Sequence, residues 1–274
     1  MTNHTNAARC ARLSPAIGAA LLLLASPAAA QEREGERRPD RIVTIGLGAE
    51  FGPRYPGSDE ISFSPFPDFG LRREGEEPAF EAGDESAGFG ILRAGPIAIG
   101  PAIAIVGSRR GEDVGAPIGD VGVTVEAGAF VEAFLTEHLR LRGEVRRGIG
   151  GHESWVGDLS ADFVLHLAET SHLAIGPRVR IGDDRFMDTY FGVGPAVAAA
   201  AGLPQFNPSG GIWSVGATAS FNTQLNENWG LYGYARYDRL TGGASESPIV
   251  QVHGSRDAFA VGLGLNYSFR LRSR

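Results

Sequence analysis

The 274-residue chain carries 32 acidic and 25 basic side chains, the basic ones all arginine, for a net charge of -7. That balance excludes a nucleic-acid binder. The single cysteine, Cys10, excludes disulfides and cysteine metal centres. The mean hydropathy is -0.07, and beyond the N-terminal region no run approaches the roughly 18 apolar residues of a membrane helix.

The N-terminal region reads as a secretory leader over residues 1–30. Arg9 and Arg12 precede a short apolar core, and Ala28, Ala29 and Ala30 form a small-residue cleavage site before Gln31. Residues 31–41 are polar and charged, and are expected to be a periplasmic lead-in. From residue 42 to 269 the pattern changes to runs of strict period two. Val43, Ile45, Leu47, Ala49 and Phe51 alternate with Thr44, Gly46, Gly48 and Glu50. A weaker run extends from Ile61 to Leu71, where Pro65 and Pro67 are expected to interrupt any ladder. Residues 78–82 and 88–93 read as a short hairpin.

Ile97, Ile99, Ile103 and Ile105 share a face, and Val121 to Leu135 give the cleanest interior alternation. Further runs are centred on Leu139–Val145, Leu159–Leu167, Leu173–Ile181, Trp213–Phe221 and Trp229–Tyr237. Between them come tight turns at Thr136, Glu169 and Asn226, and long loops over residues 109–119, 183–210 and 241–256. The last run, Phe259 to Phe269, sets Val261, Leu263, Leu265 and Tyr267 against Ala260, Gly262, Gly264, Asn266 and Ser268. Five residues, 270–274, form a tail. The pattern predicts an all-β, antiparallel, up-and-down transmembrane barrel of about 12 strands. With that parity both termini and the tight turns fall on the periplasmic side.

Charge separates a membrane barrel from a soluble sandwich. Glu126 and Glu132 face inward on one strand, then Arg140, Arg142, Glu144 and Arg146, then Asp158 and Asp162, then Arg178 and Arg180. Arg236 and Asp238 extend the set. Facing opposite charges stabilise a sheet by about 0.2–1 kcal/mol per pair. The opposite faces are nearly uncharged, as lipid requires. These rows are expected to form a lumenal ion-pair lattice, with an arginine-lined pore constriction as the alternative. Trp155, Trp213, Trp229 and Tyr237 are expected in aromatic girdles.

Chemistry-bearing motifs are sparse. His138, His152, His166, His172 and His253 have no metal-ligand spacing, so neither a metal nor a cofactor is expected. Gly151-His152-Glu153-Ser154 could serve a rim hydrolase, but a solvated loop accounts for it better. Gly46-x-Gly48 and Gly262-x-Gly264 are followed by no helix, so they are read as small residues facing a tight lumen.

Several loop motifs resemble the MltA-interacting protein/OmpV family of outer-membrane proteins. They are Pro53-Arg54-Tyr55-Pro56-Gly57-Ser58-Asp59, Tyr190-Phe191-Gly192-Val193, Gly202-Leu203-Pro204-Gln205-Phe206, Arg239-Leu240-Thr241-Gly242-Gly243-Ala244-Ser245-Glu246-Ser247-Pro248-Ile249-Val250 and Tyr267-Ser268-Phe269. The arginine-rich tail departs from the usual ending on an aromatic. The resemblance implies a non-enzymatic barrel in outer-membrane lipid. It also implies a scaffold joining a lytic murein transglycosylase to a bifunctional penicillin-binding protein, or a small-solute porin.

Overall fold

The computed structural model describes residues 40–76 and 80–272; the predicted leader lies outside them. Alternating residues build β1 (Arg41–Pro53), β2 (Ile61–Arg73), two short pieces β3 (Ala87–Gly88) and β4 (Leu92–Ala94), then β5 (Ile97–Val106). β6 (Thr124–Phe134), β7 (Leu139–Ile149), β8 (Trp155–Ala168), β9 (Ser171–Gly182), β10 (Gly211–Gln224), β11 (Trp229–Leu240) and β12 (Asp257–Leu271) follow. All neighbours are antiparallel, in the order β2-β1-β12-β11-β10-β9-β8-β7-β6-β5-β3, with β4 also on β5. The first and last strands pair from Arg41↔Leu271 to Phe51↔Val261 and bend the sheet into a barrel. β12 therefore runs past Phe269, and Arg270 is a strand residue paired with Glu74 at 2.6 Å.

The barrel is inverted relative to a water-soluble one. Leu141, Phe163 and Ile175 are 39%, 49% and 58% exposed on the outside, whereas Arg142 and Asp162 are 6% and 1% exposed within. Lipid on one side and a polar interior on the other account for the period of two. Trp155 and Trp229 lie exposed at opposite ends of the wall. Tyr237 packs against Phe259 with tilted rings, their centroids 4.9 Å apart.

The sequence expectation fails at the hairpin over residues 78–93. Residues 78–79 lie outside the described residues, and Phe80 to Ser86 form no strand. This stretch enters the lumen from the end with the tight turns. Phe80 and Ala82 pack on Val164 and Ala174 there, and the chain then reaches mid-height before β3 and β4 descend along β5. Counted as one interrupted line, β3 and β4 run in the same direction as β2. No ladder joins them among the described residues, so the sheet stays unzipped there. Pro65 and Pro67 do not break β2, which pairs with β1 along its length. They mark it as an edge strand, where a missing N–H is tolerated.

The two ends differ. At the tight turns, Thr136 Oγ1 accepts from the His138 and Leu139 N–H groups, and Asn226 Oδ1 from those of Asn228 and Trp229. At the other end the long loops fold into α1 (Asp184–Phe191), α2 (Pro195–Ala201), α3 (Gly242–Glu246) and α4 (Pro248–His253). Asp183 caps α1 by accepting from the Phe186 N–H at 2.8 Å. Phe186, Met187, Tyr190 and Phe191 bury the inner face of α1 against Tyr55, Leu240 and Val250. Each large apolar side chain buried there contributes about 1.5–3 kcal/mol. Trp213 belongs to this cap at 8% exposure, not to a girdle. Val121 is likewise in the cap, outside β6, bridged to Arg109.

Candidate functional site

All twelve charged positions singled out from the sequence point into the lumen. Of these, Glu126, Glu132, Arg140, Arg142, Glu144, Arg146, Asp162, Arg178 and Asp238 are buried, while Asp158, Arg180 and Arg236 are half-buried. The ladders bring them together in register: Glu132 opposite Arg142, Arg140 opposite Asp162, and Asp158 opposite Arg180. Arg140 is fully buried and meets Glu132 at 2.9 Å and Asp162 at 3.2 Å. Arg146 meets Glu126 and Asp158, each at 2.8 Å. Arg142 meets Glu144 at 3.0 Å and stacks over the Phe130 ring at 3.8 Å. Arg236 lies 2.7 Å from Asp238, while Arg180 meets Asp158 and Asp238 only at 3.6 and 3.5 Å.

The inner segment adds a second set of carboxylates that sequence reasoning missed. Asp84 accepts from Arg178 Nε at 2.9 Å and from the Thr218 hydroxyl at 2.7 Å. Glu85 accepts from both terminal nitrogens of Arg140, at 2.9 and 2.8 Å, and from the Ser160 hydroxyl at 3.0 Å. The Ser86 hydroxyl donates to Glu144 at 2.6 Å. Asn222 donates to the Glu81 carbonyl at 2.9 Å. The segment is thus tied to β7, β8, β9 and β10 at once. One signal could have exposed it: in a strand, adjacent Asp84 and Glu85 point to opposite faces, which would place one carboxylate in lipid.

Tyr232 and Tyr234 add an aromatic wall with Phe66, whose ring centroid lies 4.9 and 5.2 Å from theirs. Gly262 and Gly264 face those rings, where an added Cβ would collide. Two cavities border the inner segment. One of about 550 Å³ on the turn side is lined by Thr44, Asp68 and Tyr232. The other, about 880 Å³ on the loop side, is lined by Arg146, Arg180, Arg236 and Trp213.

The loop carrying His152 and Ser154 is not solvated: both side chains are buried beneath the cap. The His152 Nδ1 accepts the Ser154 N–H at 3.1 Å, so its Nε2 carries the proton that faces Glu126 at 2.9 Å. The Ser154 hydroxyl donates to the His152 carbonyl at 2.7 Å. The serine therefore has no base, and the arrangement is a structural clasp. His138, His166 and His172 gather near the turn end with ring centroids 5.9 and 4.9 Å apart. Among the described residues no group of ligating side chains could hold a metal ion. In the cap, buried Arg109 donates to the carbonyls of Thr189 at 2.8 Å and Gly119 at 3.1 Å. Burial pushes the Tyr190 phenol beside it up to about 12.

A family model described as MltA-interacting protein MipA matches residues 45–269. No curated protein matches the sequence. Among solved structures the chain is similar to an outer membrane channel from Pseudomonas putida F1, at 12% identity and a TM-score of 0.43, covering 87% of this chain and 98% of that one. It is also similar to the KdgM porin in complex with disordered oligogalacturonate, at 10% identity and a TM-score of 0.35, covering 84% and 99%. A third is outer membrane protein H of P. aeruginosa, at 15% identity and a TM-score of 0.33, covering 82% and 99%.

Proposed function

The chain belongs to the MltA-interacting protein MipA family, and we propose that this outer-membrane β-barrel acts as a membrane anchor for murein-remodelling enzymes and not as a diffusion pore. The observation that carries this reading is the inner segment. Asp84 and Glu85, held by Arg178 and Arg140, place polypeptide across the middle of the lumen. A general diffusion pore keeps a water-filled channel there.

In this reading the turn end faces the periplasm with both termini. Its short connections, which include Glu74, Glu137, Glu169 and Glu227, offer a charged surface to a lytic transglycosylase. The family's description points to that partner; a bifunctional penicillin-binding protein would complete the assembly. The protein itself carries no chemistry in this scheme, in keeping with the clasped His152 and Ser154.

Affinity capture from gently solubilised envelopes tests the proposal. A lytic transglycosylase should co-purify with the full chain and be lost when the turns at 136–138 and 226–228 are replaced by Asn-Gly. Capture of neither enzyme, under conditions that preserve a known envelope complex, contradicts it. The second reading, a small-solute channel, is favoured by the arginines facing the larger cavity. It requires the inner segment to leave the lumen.

A further inference from the structure

The barrel wall has a gap in its loop half. β3 reaches only the pairs Ala87↔Ile103 and Gly88↔Ala102, so beyond Ile103 β5 is flanked by β6 alone among the described residues. Among the described residues β2 is paired with β1 alone. The upper parts of β2 and β5 thus present two bare edges in a wall surrounded by lipid. Unsatisfied backbone groups there cost several kcal/mol each unless something polar covers them.

The cavity of about 880 Å³ lies directly behind this gap and touches both edges, over residues 62–67 and 103–108. Its outer lip is apolar: Ile61, Phe63 and Ile105 are exposed to the bilayer side. Its inner wall carries both signs, with Arg146, Arg180 and Arg236 set among Glu126, Asp158 and Asp238. Arg180 and Arg236 share the carboxylate of Asp238 and have the most exposed side chains of the arginines bonded in the lumen, at 19% and 14%. Arg236 Nε is close to Asp238 but misaligned, and is left buried without a hydrogen bond. An incompletely satisfied guanidinium pair behind an apolar opening suits a ligand that is greasy at one end and anionic at the other.

We infer that the headgroup of an anionic phospholipid enters the barrel sideways between β2 and β5. Its phosphate meets Arg180 and Arg236, and its polar groups cover the bare strand edges, while the acyl chains stay in the bilayer against Phe63 and Ile105. This inference is independent of any enzyme partner.

Photolabelling tests it. The full chain is placed in phosphatidylcholine vesicles containing a small fraction of phosphatidylglycerol with a diazirine on its headgroup, and adducts are mapped by mass spectrometry. Adducts are expected on lumenal residues of β9 to β11. Unlabelled phosphatidylglycerol should reduce them and free glycerol phosphate should not. The combination Ser64→Trp and Ala104→Trp, which plugs the gap without touching the ion pairs, should lower them roughly tenfold. Should that variant fail to show the heat-modifiable mobility of a folded barrel, the competition experiment on the native chain decides. Adducts confined to Trp155, Tyr237 and Phe259 on the outer surface overturn the inference. So does equal lumenal labelling by headgroup-labelled phosphatidylcholine, or competition by glycerol phosphate.

Discussion

Asp84 and Arg178, 94 positions apart in sequence, are joined by two hydrogen bonds inside the barrel, Nε to Oδ2 at 2.9 Å and Nη2 to Oδ1 at 3.1 Å. This fork anchors a segment that the wall does not contain. Both side chains are almost fully buried, so neither can exchange its partner for bulk water. Removing one partner of such a pair leaves an uncompensated charge, whereas an exposed pair is worth little.

The first prediction follows from that contrast. Asp84→Asn should cost about 3–5 kcal/mol in the denaturant-induced unfolding of the refolded barrel. Adding Arg178→Met should deepen the loss, because Arg178 also holds the buried Asp162 carboxylate at 2.8 Å. A cost of under about 1 kcal/mol for Asp84→Asn would place the pair in the surface class and the segment outside the lumen.

A second prediction concerns the small residues of β12. Gly264 lies against the Tyr232 ring, whose hydroxyl donates to the Phe66 carbonyl at 2.7 Å. Gly264→Val should cost about 1–3 kcal/mol through overpacking. Tyr232→Ala in the same chain should relieve much of it, read from urea midpoints of the two variants. Independent, additive losses would mean that the ring does not fill the space in front of the glycine.

The cap has its own pH response. Burial raises the Tyr190 phenol from 10.0 to about 12. A group held protonated by the fold stabilises it fully below its unfolded value, and that contribution is lost as pH rises through the folded one. The cap should therefore loosen between about pH 10 and 12, seen as a red shift in Trp213 emission. Tyr190→Phe should remove the part of the transition due to this group; an unchanged titration would contradict the assignment.

The clasp at His152 gives a prediction about activity as well as stability. Ser154→Ala should leave ester and peptide hydrolysis at the level of the native protein. His152→Ala should lower stability by about 1–3 kcal/mol, because Glu126 loses a buried donor. A measurable hydrolysis that disappears with Ser154→Ala would show that the serine is a nucleophile after all.

The alternation from Phe259 to Phe269 and the charge rows at Glu126, Arg142 and Asp162 were legible because they are properties of single strands between two solvents. Lipid and lumen impose them locally, residue by residue. The inner segment was not legible in that way. Asp84 and Glu85 are held by groups 55 to 134 positions distant, and nothing in residues 78–93 states where those groups will be. Pro65 and Pro67 were visible, and they signal an edge more than an interruption. Trp213 and Val121 were assigned to the lipid-facing wall because an apolar side chain serves the girdle and the cap equally well. Only the folding of the long loops into α1 to α4 distinguishes the two.

The most direct test of a filled lumen is electrical. The refolded chain is added to a planar lipid bilayer and current is recorded at fixed voltage, beside a variant lacking residues 81–86. The account predicts no conductance steps from the native chain and discrete steps from the variant. Regular, long-lived openings of the native chain, unchanged by the deletion, would contradict it.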